Sequence, residues 1–209
     1  MSDRSFVALL SGGLDSVVAL AAAARSARPA LALTFDYGQP AAARELRAAR
    51  EVAGRYGCAH RAIALDWYRE LLPDSFRSDA AVPEPEAPGA GSAAAVWVPG
   101  RNLVFIAIAA AWAEKLGAAE VVTGFNAEEA ATFPDNSREF AAAADRALEF
   151  SALRRVRLSA PLAGLDKAAI VRLGRELGAP LELAWSCYRG GEHPCGRCES
   201  CRRRSAAEK

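Results

Sequence analysis

Residues 7–20, VALLSGGLDSVVAL, limit the fold more than any other stretch: an apolar run breaks at Ser11-Gly12-Gly13 and resumes rich in alanine and valine. The pattern predicts a strand, a glycine turn and a helix. Glycine permits a tight turn and close approach of a ligand, and Ser11, Asp15 and Ser16 place oxygen groups at the helix opening. Unpaired amide donors and the positive end of the helix dipole converge there, so the turn suits an anion such as pyrophosphate. No Lys-Ser or Lys-Thr pair follows the glycines, and the three spaced glycines of a dinucleotide fingerprint are missing. The remaining use of such a Gly-Gly pair is close packing of a strand on a helix.

The same alternation continues along the chain. Strand-like runs occur at 5–10, 30–35, 60–65, 119–123 and 155–160, and helical stretches at 16–27, 39–56, 102–117, 136–150 and 166–178. Three of these helices stop at Gly57, Gly117 and Gly178. Strands separated by helices predict an α/β fold, a doubly wound parallel sheet of about five strands. Ligands of such sheets lie beyond the carboxyl ends of the strands, so the loops 11–16, 36–39, 66–101 and 124–135 become the functional candidates.

Each loop carries an alternative to function. Asp36-Tyr37-Gly38-Gln39 fits either a turn or contact with a ribose or adenine. The proline- and glycine-rich 66–100 fits a lid or an inert excursion, opening with a short helix around Trp67, Tyr68 and Leu71. Arg101 stands beside Asn102, the expected N-cap of the next helix, where a guanidinium either holds a carboxylate or phosphate through two parallel bonds or is a solvated surface arginine, the use that the residue alone favours. Gly124 opens the following loop, in which Phe125 and Phe133 can stack a flat heterocycle and Glu129 or Asp135 can accept hydrogen bonds from it. Asp135, Asn136 or Ser137 also fits a helix cap. Lys167 falls in the first turn of the last long helix, an unfavourable place for a cation unless an anion pairs with it, and this mismatch favours a phosphate ligand.

Four of five cysteines, Cys187, Cys195, Cys198 and Cys201, crowd the last 23 residues with gaps of seven, two and two, while Cys58 stands apart. Two-residue gaps let thiolates in one tight turn reach a single ion, and four sulfurs fill a structural zinc site. An iron–sulfur cluster and simple reduced thiols remain the other uses of this set. His193 reads as a bystander and Arg202–Arg204 as a solvated end. The expected organisation is an α/β domain over 1–185 and a cysteine-rich, helix-poor tail over 186–209.

With 52% apolar residues and a net charge of +1, the 209 residues can build one core and carry no general nucleic-acid-binding charge. No apolar run approaches the ~20 residues of a membrane span, and the N-terminus shows no secretory signal pattern, so a cytoplasmic location is expected.

SGGLDS resembles the pyrophosphate-loop signature of the ATP pyrophosphatases. With TFDYGQ, VPGRN, VVTG, FPD, LDK, SCY and CGRCESC in order, the whole chain resembles the QueC family of 7-cyano-7-deazaguanine synthases. The resemblance implies an adenine nucleotide alpha hydrolase-like fold and an ATP-dependent ligase that turns 7-carboxy-7-deazaguanine and ammonia into a nitrile, in queuosine and archaeosine precursor synthesis. It implies ATP contacts from Leu10, Ser11, Gly12, Gly13, Leu14, Asp15, Ser16, Asp36, Tyr37, Gly38, Gln39, Gly124 and Lys167, and substrate contacts from Arg101, Asn102, Phe125, Glu129, Phe133 and Asp135. Asp15, Lys167 and Arg101 are the expected catalytic groups, ATP brings Mg²⁺, zinc sits in the tail, and a homodimer is the expected assembly. One departure is local: many family members read Asp-x-Ser-Gly-Tyr-Pro-Asp-Cys where this chain reads Glu129-Ala-Ala-Thr-Phe-Pro-Asp-Asn136, keeping Pro-Asp but losing Ser-Gly-Tyr. A subgroup that stops at the amide, or that joins another amine, would keep the same loop and tail. The rival classes are a tRNA thiolation enzyme, which calls for a catalytic thiol near the ATP loop, and a nucleotide-binding module without catalysis. A glutaminase domain has no room, so ammonia is the expected nitrogen source.

Overall fold

The computed structural model describes residues 4–73 and 96–208. Five strands, β1 Ser5–Leu9, β2 Arg28–Asp36, β3 Ala59–Ala64, β4 Glu120–Val122 and β5 Arg157–Ser159, form one sheet in the order β3-β2-β1-β4-β5. All four pairings are parallel, as the alternation of the sequence requires. The crossovers run through α1 Leu14–Ala23, α2 Ala42–Arg55, α3 Arg101–Leu116, the single turn α4 Ala127–Ala130 and α5 Arg138–Leu148. After β5 the chain forms α6 Lys167–Glu176 and ends in α7 Glu199–Ala207.

The period-two alternation of β1 divides the core. Phe6, Ala8 and Leu10 face one layer with Val17, Val18, Val52 and Ile170, while Val7 joins Leu33, Ile106, Ala113 and Leu148 on the other. Helices therefore cover both faces of the sheet. The short α1 is buried almost all round, and its alanines allow close neighbours. A side chain at Gly174 of α6 would meet Leu181 and Val18 at 2.8 and 2.9 Å, so these two helices pack through that glycine.

The helix stops at Gly57, Gly117 and Gly178 all take the left-handed conformation that ends a helix without a Cβ clash. One helix boundary differs from expectation for a physical reason. Gly100, with φ +66°, rather than Asn102, precedes α3, because Tyr68 Oη donates to Pro99 O at 2.8 Å and fixes the turn. Asn102 instead lies inside the helix and donates from Nδ2 to Asp135 O at 3.1 Å. Ser137 is the cap of α5, accepting from Phe140 N–H at 3.0 Å. The tail is not helix-poor, since α7 follows Cys198 directly. The expected short helix at Trp67–Tyr68 is a 3₁₀ turn over Asp66–Leu71, whereas the lid reading of 66–100 falls largely on 74–95, outside the described residues.

Candidate active site

Strand order reverses between β1 and its two neighbours β2 and β4, and the chain leaves β1 and β4 side by side at their carboxyl ends. There the backbone of Gly124 lies against the first turn of α1: a Cβ on Gly124 would stand 2.9 Å from Ser16 N. Gly12 has φ +78°, and a Cβ on it would meet Glu45 O at 2.6 Å and Ala49 N at 3.0 Å. The close-packing use of the pair is thus taken by Gly12, which admits α2, while Gly13 lines a cleft with Ser11, Leu14, Asp15 and Ser16. Gly12→Ala is expected to cost about 3 kcal/mol from left-handed strain plus backbone overlap. An unaltered denaturant midpoint would show that the turn yields without cost.

The cleft gathers residues from distant parts of the chain. Leu10, Tyr37, Arg101, Asn102, Gly124, Phe125, Glu129, Phe133 and Lys167 line it together with the residues of the first loop. Lys167 Nζ donates to both oxygens of Asp15, at 2.9 and 2.7 Å. The cation at the start of α6 thus has its anion within the chain. Glu128 also accepts from Lys167 N–H at 2.8 Å, and Asp166 caps the helix through Ala169 N–H at 2.7 Å.

Of the 36–39 tetrapeptide, only Tyr37 reaches the cleft. Asp36 accepts from Gly38 N–H at 3.1 Å, the turn use of an aspartate. Buried Gln39 donates to Phe35 O at 3.0 Å and to Glu45 at 2.8 Å, and accepts from Tyr37 N–H at 3.0 Å. Asp36, Gly38 and Gln39 shape the turn that presents Tyr37, and Asp135, held by Asn136 at 3.1 Å, also lies off the cleft surface. Arg101 donates to Tyr37 Oη at 3.0 Å from the first turn of α3. Burial pushes the carboxyls of Glu45, Glu129 and Asp135 above the usual carboxylate range; a hydrogen bond from Gln39 opposes this at Glu45, the charges of Lys167 and Arg203 at Glu129, and that of Arg101 at Asp135.

Among the cleft residues that the sequence did not single out are Glu45, Asn126, Trp185 and Tyr188. Asn126 is fully buried, its side-chain oxygen capping α4 through Glu129 N–H at 3.0 Å while its Nδ2 has no hydrogen-bond partner among the described residues. Trp185 N–H donates to Gly12 O at 2.8 Å, and the Arg44 guanidinium covers its ring at 5.3 Å. The cysteine tail therefore supplies one wall of the cleft.

The tail also gathers a metal-ligand set. The sulfurs of Cys187, Cys195, Cys198 and Cys201 all lie within 4.8 Å of one another, close to the S···S spacing of ~3.8 Å that a tetrahedral ion at ~2.3 Å imposes. Cys187 Sγ accepts from Arg189 and Cys195 N–H at 3.4 Å, and Cys195 Sγ from Cys198 N–H at 3.3 Å, the arrangement that steadies thiolate ligands. His193 is exposed and outside the set. The triple-arginine end is not simply solvated: Arg204 donates to Leu181 O and Ala184 O at 3.0 and 2.6 Å, and Arg203 donates to Glu129 at 3.1 Å.

The model of the queuosine biosynthesis protein QueC matches residues 5–209. The chain belongs to the QueC family. Relatives named 7-cyano-7-deazaguanine synthase include those of Pelotomaculum thermopropionicum, 50% identical over 96% of this chain and 94% of that one, and of Methanosarcina mazei, 47% identical over 97% and 93%. Among solved structures, a 4-thiouridine synthetase in complex with RNA and bound ATP superposes with a TM-score of 0.53 at 21% identity, over 98% of this chain and 50% of that one. The NMN synthetase of Francisella tularensis gives 0.51 at 18% identity, over 85% and 63%. At such identities these two structures speak for the fold that QueC shares with them. Among the described residues, no helix is long and apolar enough to cross a membrane.

Proposed function

We propose that this chain is a cytoplasmic 7-cyano-7-deazaguanine synthase, an ATP-dependent carbon–nitrogen ligase acting on 7-carboxy-7-deazaguanine and ammonia. The observation that carries this reading is the family match over 5–209, with relatives of that name aligned over nearly their whole length. The cleft fits it chemically: an anion-binding turn, a lysine paired to an aspartate and an aromatic wall meet in one place.

The carboxylate oxygen of the acid attacks the α-phosphorus of ATP, and pyrophosphate leaves. Ammonia then displaces AMP to give the amide. A second ATP adenylates the amide oxygen, and loss of AMP with two protons gives the nitrile. The chain's task is to align acyl oxygen, α-phosphorus and ammonia and to neutralise the departing charge. The amides of Ser11–Ser16 and Lys167 serve the phosphates, Asp15 holds the Mg²⁺ that arrives with ATP, and Arg101 faces the acid group. Glu129 and the rings of Phe125 and Phe133 hold the heterocycle, while Asn126 Nδ2 is a donor for a ligand oxygen. Asp36 and Gln39 act through the turn, and Asp135 acts through Arg101 and Asn102. The four cysteines would hold zinc; with four protein sulfurs within 4.8 Å of one another, the ion would serve to shape the tail rather than to bind substrate.

The loss of Ser-Gly-Tyr before Pro134 favours a second reading, in which the product stops at the amide. Incubation with ATP, Mg²⁺, ammonium and the acid, followed by mass spectrometry, separates nitrile from amide. A mass gain on tRNA that requires a sulfur donor would overturn both. Cys58 is a poor nucleophile for such a step, because burial pushes its thiol up to about 11 and it stands at the amino end of β3, away from the cleft. A homodimer is the proposed assembly, and the exposed Phe150 and Leu153 are side chains that a pairing face would cover.

A further inference from the structure

Glu129 lines the cleft from the end of α4, and the cation that touches it comes from the far end of the chain. Arg203 Nη1 donates to Glu129 Oε1 at 3.1 Å, and its Nη2 donates to Glu199 one turn earlier on α7. The guanidinium is thus held between two carboxylates and has a fixed direction. The helix that carries it is fixed as well. Its N-cap is Cys198, Cys201 lies in its first turn, and Arg204 ties it to the carbonyls of Leu181 and Ala184. Just upstream, Trp185 N–H is bonded to Gly12 O. A metal bound by the cysteines would therefore fix the origin of the helix from which Arg203 reaches the cleft.

We propose that Arg203 is a positioning residue that holds Glu129 as an oriented carboxylate, so that the metal-binding tail sets the geometry of the heterocycle subsite. This rests on the role proposed for Glu129 above. Oriented and ionised, a carboxylate accepts two hydrogen bonds from the amino and ring N–H groups of a guanine-like ring; protonated or free to rotate, it accepts them poorly. The charged and titratable groups around Glu129 are Lys167 of α6, Asp15 of α1, Arg203 and Glu199 of α7, and Tyr188. Removing Arg203 leaves burial and the two acidic neighbours opposed by Lys167 alone, so the carboxyl binds its proton at higher pH.

The test compares Arg203→Met, Arg203→Lys and Glu129→Gln in the full metal-loaded chain. Arg203→Met is expected to raise KM for the acid by about tenfold, the scale of one charge-assisted contact, while leaving KM for ATP and the metal content unchanged. The loss should deepen toward acid pH, and Arg203→Lys should recover most of it. In the Glu129→Gln background, Arg203→Met should add nothing. A ¹³C NMR titration of Glu129 should move to higher pH in Arg203→Met. An unchanged KM and titration overturns the inference, as does loss of metal in both Arg203 variants, which would make the residue a staple of the tail. If the wild-type chain turns over no deazaguanine acid, the functional reading fails, and the NMR titration alone decides whether Arg203 governs Glu129.

Discussion

Replacing Lys167 by methionine is expected to lower kcat for pyrophosphate release by roughly 10²–10³-fold, with KM for ATP changed far less. Charge grows on the bridging oxygen and on pyrophosphate as the α–β bond breaks, and a cation aimed at that charge is worth most in the transition state. Lys167 is suited to this task because it is held before ATP arrives. Its side chain is largely buried, it grips both oxygens of Asp15, and it starts α6 beside the first turn of α1. The substitution also leaves Asp15 without its partner. Asp15→Asn alone should therefore lose activity too, and the double variant should lose much less than the product of the two singles, because the pair acts as a unit. Pyrophosphate release in single-turnover and steady-state assays measures both effects. A tenfold or larger rise in KM for ATP with kcat intact would show that Lys167 binds ATP equally in ground and transition states, and would remove it from the catalytic set.

How legible these groups were depended on whether local pattern or distant contact places them. Lys167 stood out because its position defies the helix dipole, but Glu128 and Asp15 supply anions within the chain, so the mismatch alone does not call for a phosphate. The five strands were readable from alternation, and Ser11–Ser16 from glycine chemistry at the strand's end. Glu45 left a sign that could have been used: it shares the 45, 48, 49, 52 stripe of α2 with Ala48, Ala49 and Val52, which marks a carboxylate on a buried face. Glu199 and Arg203, four apart, likewise signal a helix in a tail that otherwise reads as loop. Trp185 and Tyr188 gave no such sign. They reach the cleft only because the chain returns from α6 to lie on Gly12, a contact between residues more than 170 positions apart that no local period encodes. Asp36 and Gln39 show the converse, since their residue types suit a ligand and a turn equally, and the folded chain commits their polar atoms to the turn.

Cys198→Ser should abolish stoichiometric zinc binding and also weaken ATP binding by about tenfold, equivalent to ~1.4 kcal/mol. The first effect follows from the donor set: three sulfurs and a hydroxyl form a much poorer zinc site than four thiolates. Cys198 is also the residue from which α7 starts, so the helix loses its anchor with the ion. The second effect follows from where the tail lies. Trp185 N–H, bonded to Gly12 O, and the Arg44 guanidinium over the Trp185 ring hold the tail against the glycine turn, and Tyr188 and Ser200 close the same cleft. The sheet has its own two core layers and should keep its cooperative unfolding, while residues 186–208 become protease-sensitive as a local unit. Cys58→Ala is the control: that thiol is buried in the main core, outside the cluster, and its loss should leave the metal in place. Metal analysis, limited proteolysis and ATP titration on the three proteins decide the matter. Zinc lost with ATP affinity retained would make the tail a passive appendage; zinc retained in Cys198→Ser would refute the four-sulfur site itself.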